Sequence, residues 1–182
     1  KYKRIQYGRK GLWRLIDIYL SWQDEKNVNK FDDFIVLTQE DKGYWKGAKN
    51  ITVIPNALAY IHTETSNLTH KKAIAVGRLT YQKGFDRLIK IWAEVHMHRP
   101  EWMLDIVGEG EDKDMLENLI KKYNLECVVH LVPPTLNIEQ KYLDSSFLIM
   151  TSRYEGFGLV LIEAHSYGLP TLSFNCKCGP SD

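Results

Sequence analysis

Beyond residue 72 the chain alternates between two hydrophobic patterns, short unbroken apolar runs and segments with apolar residues every three or four positions. Ala73–Val76 is such a run, ended by Gly77. Phe85–Val95 then spaces Phe85, Leu88, Ile89, Trp92 and Val95 along one helix face. Trp102–Val107 predicts the next strand, closed by Gly108-Glu109-Gly110, and Asp112–Tyr123 a helix with Met115, Leu116, Leu119 and Ile120 on one side. Cys127–Val132 predicts a strand ending at Pro133-Pro134, Ile138–Leu143 a short helix, Phe147–Met150 a strand and Leu159–Tyr167 a helix. Gly168 stands where a C-terminal cap belongs, Pro170 follows, and Thr171–Phe174 begins another strand. Continuously apolar strands alternating with helices predict an α/β fold, a parallel sheet with helices on both faces. Such sheets bind ligands beyond the carboxyl ends of their strands, where Arg78, Gly108, Pro133 and the 151–158 loop all fall.

Residues 1–58 follow a different plan. Leu12–Leu20 reads as an amphipathic helix, Phe34–Leu37 as a strand, Gln39–Trp45 as a short helix and Ile51–Ile54 as a strand. That is a partial α/β unit with too little material for a sheet of its own, expected to be the tail of a preceding domain. Pro55-Asn56 marks the break and His62–Lys72 reads as a polar connector, so the main domain is expected over 59–182.

The densest chemistry lies in Glu155-Gly-Phe-Gly-Leu-Val-Leu-Ile-Glu163. Two glycines favour a tight turn with accessible backbone N–H groups, and the following helix points its positive end at that turn. Glu163, inside an apolar helix, carries a charge that is costly unless something satisfies it. At about 1.5 Å per residue a helix puts positions 155 and 163 up to about 12 Å apart. Carboxylates flanking one glycosidic bond sit roughly 5 to 9.5 Å apart, so the two suit the ends of one extended ligand better than an acid/base pair. Hydroxyls, then phosphates, then another hydroxyl pair is the layout of a nucleotide sugar. A loop glutamate and a solvent-facing helix glutamate form the plainer alternative.

Other positions add less. Arg78 and Lys83 flank the first strand-to-helix turn of the main domain, and two cations ahead of a helix N-terminus make sense around a diphosphate, as they do in a solvated turn. Val107-Gly108-Glu109-Gly110 begins like a dinucleotide fingerprint but lacks its third glycine. Asp112 and Asp114 have metal-ligand spacing, yet acids also favour a helix's first turn, and Cys176-Lys177-Cys178 has no second pair at zinc spacing. No metal is expected. His165 lies on a different helix face from Glu163, and the remaining histidines form no ligand set.

Composition narrows the field. At 182 residues, 44% hydrophobic and 26% charged, the chain is an ordinary globular protein, and a net charge of +1 gives no bulk attraction for nucleic acid. Three irregularly spaced cysteines fit a reducing, cytoplasmic compartment. There is no run of 18 apolar residues and the first residue is Lys1 rather than Met, so a fragment or processed chain is expected. Lys1, Lys3, Arg4, Arg9, Lys10 and Arg14, interleaved with Tyr2, Tyr7 and Trp13, make a basic-aromatic segment suited either to peripheral contact with an anionic membrane or to packing on structure outside the chain.

With these residues in place, the chain resembles the family 4 (group 1) retaining glycosyltransferases of the GT-B fold from about Phe31 onward. The resemblance rests on Phe31-Asp32-Asp33-Phe34-Ile35-Val36-Leu37-Thr38 and Val53-Ile54-Pro55-Asn56, and on Ala75-Val76-Gly77-Arg78-Leu79 with Lys83-Gly84. Ser152 through Ala164, with its Glu-x7-Glu spacing, and Gly168-Leu169-Pro170 complete it. It implies a Rossmann-like domain, the C-terminal half of a GT-B fold, in which Arg78 and Lys83 hold the donor diphosphate and Glu163 the ribose hydroxyls. Glu155 would contact the transferred sugar, amides around Gly156, Phe157, Gly158 and Leu159 would complete the cradle, and Gly108 and Val132 would border the nucleobase. Arg78, Lys83 and Glu155 are the implied catalytic set, with Glu155 positioning rather than attacking. The donor would be a UDP- or GDP-sugar, with no metal or other cofactor. The acceptor, a glycan or lipid-linked glycan, would bind a preceding domain almost wholly absent here, so this chain is expected to bind nucleotide without turnover, in the cytoplasm or on the inner face of its membrane. Three readings compete: a nucleotide-sugar epimerase of the same fold, a non-catalytic nucleotide-binding domain and, least supported because the glycine fingerprint is incomplete, a NAD-dependent Rossmann enzyme.

Overall fold

The computed structural model describes residues 12–58 and 63–181. Five strands, β3 (Lys72–Val76), β4 (Met103–Val107), β5 (Val129–Val132), β6 (Phe147–Met150) and β7 (Thr171–Ser173), form a parallel sheet in the order β5-β4-β3-β6-β7. The chain winds outward from β3 through β4 to β5, then returns to the other side of β3 as β6 and β7. Connections of one hand therefore place α3 (Phe85–His98) and α4 (Lys113–Lys122) on one face, and α5 (Ile138–Leu143) and α6 (Leu159–Ser166) on the other.

Two apolar cores match this division. Leu88, Ile89 and Trp92 of α3 and Leu116 and Ile120 of α4 pack on Ala73, Ala75, Leu104 and Ile106. On the opposite face Tyr142 of α5 and Leu161 and Ala164 of α6 pack on Ile74, Val107, Leu148 and Met150. The strands are apolar on both sides because both faces are covered. One exception is Asp105, buried on β4 among Lys72 Nζ at 3.8 Å, Lys141 Nζ at 3.6 Å and His130 Nδ1 at 3.2 Å. Through Lys141 this acid fastens α5 to the sheet.

The N-terminal residues form α1 (Leu12–Val28), β1 (Phe34–Val36), α2 (Gln39–Tyr44) and β2 (Ile51–Val53). The expectation that this stretch lacks a sheet is corrected: β1 and β2 pair in parallel over Val28, Val36 and Trp45. Helix α1 is also eight residues longer than the predicted Leu12–Leu20, because its polar last turns carry no breaker before Asn29. Residues 1–11 and 59–62 lie outside the described residues, and with them most of the basic-aromatic segment, His62 and the start of the expected main domain. Among the described residues no helix is long and apolar enough to cross a membrane.

Among the described residues the two pieces touch at the loop around Cys178. Glu40 of α2 accepts from Tyr44 Oη at 2.5 Å through Oε1 and from the backbone N–H of Cys178 at 2.5 Å through Oε2. Lys177 Nζ lies 5.4 Å from the centre of the Tyr44 ring.

Candidate functional site

The sheet reverses winding between β3 and β6, and a ligand crevice is expected beyond the carboxyl ends at such a point. The turn after β3 and the loop after β6 meet there, laced together by main chain. Arg153 N–H donates to Gln82 O at 2.8 Å, Gln82 Nε2 donates to Tyr154 O at 3.1 Å, and Thr151 Oγ1 donates to Gly84 O at 3.1 Å. Gly84 opens α3 at φ 68°, and a Cβ there would lie 2.3 Å from Thr151 O, so the approach requires glycine. Arg153 secures the same seam by a two-pronged pair with Asp86 at 2.8 Å, over the Tyr81 ring. The guanidinium's hydrogen bonds hold the Asp86 carboxyl below the usual aspartate range, against the opposing effect of burial.

This lacing delivers Lys83 to Glu155. Its aliphatic stem lies over Gly77, and its Nζ sits 2.8 Å from Glu155 Oε1, with the lysine side chain 16% and the glutamate 7% exposed. Ser152 Oγ donates to the same oxygen at 2.5 Å. The Glu155 amide donates to Lys177 O at 3.1 Å, within a parallel bridge between Tyr154 and Lys177, and Gly179 and Cys176 close the far side. Burial, and then the Glu155 charge, push the Cys176 thiol up, so it serves as an apolar wall.

Arg78, at the far end of the β3 turn, is exposed and makes no side-chain ion pair with a described residue. The β3 and β4 turns run edge to edge, with Gly77 N–H donating to Val107 O at 3.0 Å and Leu79 N–H to Glu109 O at 2.8 Å, and the β4 turn in turn meets β5, where Gly108 N–H donates to Val132 O at 2.9 Å. A Cβ on Gly108 would fall 1.9 Å from Gly77 O. The apparent start of a dinucleotide fingerprint thus reflects two strand-end turns in contact.

Helix α6 starts at Leu159 behind Gly158, which has φ 80° and supplies no side-chain cap; the Leu161 N–H donates back to Gly158 O at 2.9 Å, and the Leu159 and Val160 amides lie at the loop. Gly156 needs no glycine geometry: it is exposed, its φ is unremarkable and a Cβ there would meet nothing within 4 Å. The expectation that both glycines shape the turn is corrected to Gly158 alone. Only residues from 159 onward are helical, so the helical rise covers half the separation between Glu155 and Glu163. Each acid has its own surroundings. Half-buried Glu163 accepts from Tyr142 Oη at 3.1 Å through Oε2. Leu159 is exposed, Phe157 half-buried, and Val132 closes β5 beside the Gly108 turn.

Ser152 and Tyr142 are contributions that the sequence reading missed. A serine three residues before the glutamate was the available signal for the first; nothing local marked the second. His165 donates to or accepts from Thr171 Oγ1 at 3.0 Å, away from the site. Asp112 and Asp114 sit at the start of α4, and no group of three or more potential metal ligands occurs among the described residues. An apolar groove of about 430 Å³ between α3 and β6–β7 is lined by none of Arg78, Lys83, Glu155 or Glu163.

Residues 59–182 match the family described as Glycosyl transferases group 1. The amylovoran biosynthesis glycosyltransferase AmsD of Erwinia amylovora is 44% identical over 158 residues, covering 81% of this chain and 44% of AmsD. Among solved structures, a Staphylococcus aureus TarM variant in complex with fondaparinux, alpha-GlcNAc-glycerol and UDP superposes with a TM-score of 0.83 at 31% identity, over 90% of this chain and 34% of that one. The pneumococcal O-GlcNAc transferase GtfA in complex with UDP and GlcNAc gives 0.77 at 28% identity, over 86% and 33%. The chain therefore spans less than half the length of these relatives, and its sheet and flanking helices are those of GT-B glycosyltransferases. Since the family match takes in the β3 turn, the β6 loop and α6 together, the chain belongs to the group 1 glycosyl transferases.

Proposed function

We propose that residues 59–182 are the donor half of a family 4, retaining glycosyltransferase, and residues 1–58 the end of its acceptor half. The observation that carries this reading is the meeting of Lys83 with Glu155 at 2.8 Å across the reversal point of the sheet. A cation for phosphate and a carboxylate for hydroxyls then stand side by side, where a sugar diphosphate needs both. Arg78 and Lys83 hold the diphosphate and stabilise the charge that develops on it as the sugar leaves. The first amides of α6 add a helix N-terminus to the same anion, so the site supplies positive charge without a metal. Glu155 accepts from hydroxyls of the transferred sugar. Its Oε1 is already engaged by Lys83 and Ser152, which favours positioning over nucleophilic attack. Glu163 receives the ribose hydroxyls, while Gly108 and Val132 border the base.

The UDP complexes of TarM and GtfA support a UDP-sugar donor, with a GDP-sugar as the other candidate. AmsD's role in amylovoran biosynthesis supports a surface polysaccharide or lipid-linked glycan as acceptor, assembled on the cytoplasmic side of the membrane. Calorimetric titration of this chain with UDP, GDP, ADP and NAD tests the reading. One nucleoside diphosphate is expected to bind, NAD is not, and Glu163→Ala should weaken binding at least about tenfold. A folded chain that binds none of them, or only NAD, overturns it.

A further inference from the structure

Glu163 does not float above its helix. Tyr142 Oη reaches its Oε2 at 3.1 Å from α5, an element that the donor reading otherwise leaves without a role. Tyr142 is 1% exposed, belongs to the same buried cluster as Ile74, Leu148 and Ala164, and its ring stacks on Tyr167 with centroids 5.1 Å apart. α5 is fastened in turn by Lys141, the neighbouring residue, through buried Asp105. The hydroxyl is thus a fixed point rather than a mobile partner. Burial, and then the charge of Glu163, push the phenol far above its ordinary range, so it keeps its proton and stays a donor.

A glutamate side chain free to sample its rotamers loses that freedom when a ligand orders it, and the lost entropy weakens binding. One whose second oxygen is already bonded to a rigid core has met that cost on folding and presents its carboxylate plane in one orientation. A vicinal diol needs such a plane, because both hydroxyls donate to one carboxylate. We infer that Tyr142 is a positioning residue that sets the Glu163 carboxylate for the 2′ and 3′ hydroxyls of the donor's ribose. The inference rests on the reading that Glu163 meets the ribose.

Tyr142→Phe keeps the ring and its stack and removes only the hydroxyl. Affinities of the wild-type chain and the variant for UDP and 2′-deoxy-UDP, with GDP and 2′-deoxy-GDP in parallel, separate the possibilities. The wild type should prefer the ribonucleotide. Tyr142→Phe should weaken the ribonucleotide about five- to tenfold, the size expected for a hydrogen bond to a charged group, and leave the deoxynucleotide within about twofold, so the preference collapses. Tyr142→Phe combined with Glu163→Ala should bind no more weakly than Glu163→Ala alone. A variant that keeps the wild-type preference overturns the inference, including the case where disturbed packing weakens both nucleotides equally. A wild type with no ribose preference, or with no nucleotide binding, overturns the assignment of Glu163 and the inference with it.

Discussion

Lys83 and Glu155 are each other's partner, and any anion brought to the lysine comes close to the carboxylate as well. Two like charges in a largely dehydrated pocket repel, unless hydroxyls between them give the carboxylate something to accept from. Glu155→Gln should therefore bind UDP about three- to tenfold more tightly than wild type while losing preference for the sugar-bearing donor. Lys83→Ala should weaken both at least about tenfold and also destabilise the fold, because it leaves Glu155 buried and unpaired. Calorimetry with UDP and a UDP-sugar checks the pattern. Weaker UDP binding by Glu155→Gln would mean that the acid chiefly holds Lys83 in place. At this scale the residues legible in the sequence are those out of keeping with their surroundings, such as Glu163 in an apolar helix or Lys83 ahead of a helix start. Tyr142 was not, since a tyrosine in a short helix is unexceptional until a residue 21 positions away meets it, whereas Ser152 lay three residues before its partner and was marked only by that spacing.

Among elements, the prediction concerns turns. Gly108 holds a backbone conformation that favours glycine, and a methyl group there would collide with Gly77 O, so Gly108→Ala must push the β3 and β4 turns apart. It should cost more than about 2 kcal/mol, read as a fall in thermal midpoint, whereas Gly156→Ala in the open loop should stay within about 0.5 kcal/mol. Equal effects would mean that the two turns do not depend on this contact. Hydrophobic period located every element of the main domain, and Ile138–Leu143 and Phe147–Met150 coincide with their predicted bounds. The misses lie at ends. Cys127 and Val128 carry strand-like side chains, but the amides of Val128 and Val129 both turn back to Leu125 O, so pairing begins only at Val129. Helix α3 runs on to His98 because its first breaker is Pro100, and no apolar residue after Val95 was needed to mark the extra turn. Gly168 is the end that the sequence did specify: at φ 72° its N–H meets His165 O and the next amide meets Ala164 O, the paired closure of a glycine-capped helix.

For the molecule as a whole, the seam between β3 and β6 should set the response to acid. Asp86 has its folded-state pKa depressed by Arg153, so its pairing contributes fully above the ordinary aspartate value near about 3.9 and is lost as pH falls through the lower folded value. Asp86→Asn should thus be less stable than wild type at neutral pH, by about 1 to 2 kcal/mol. The gap should close as the pH drops below about 4. Denaturant unfolding across pH 2 to 7 measures it, and a gap that persists unchanged into acid would show that the pair's charge contributes nothing. Long-range pairs of this kind are illegible in a single sequence, since 67 positions separate Arg153 from Asp86.

The bond from Glu40 to the Cys178 amide gives the two halves a mechanical relation. Cys178 is joined by one peptide bond to Lys177, whose carbonyl holds the amide of Glu155. That path is short: two hydrogen bonds and one peptide bond lie between α2 and the Glu155 amide. A tilt of the β1–α2–β2 unit would pull first on the Cys178 amide and, one residue before it, on the carbonyl that holds the Glu155 amide.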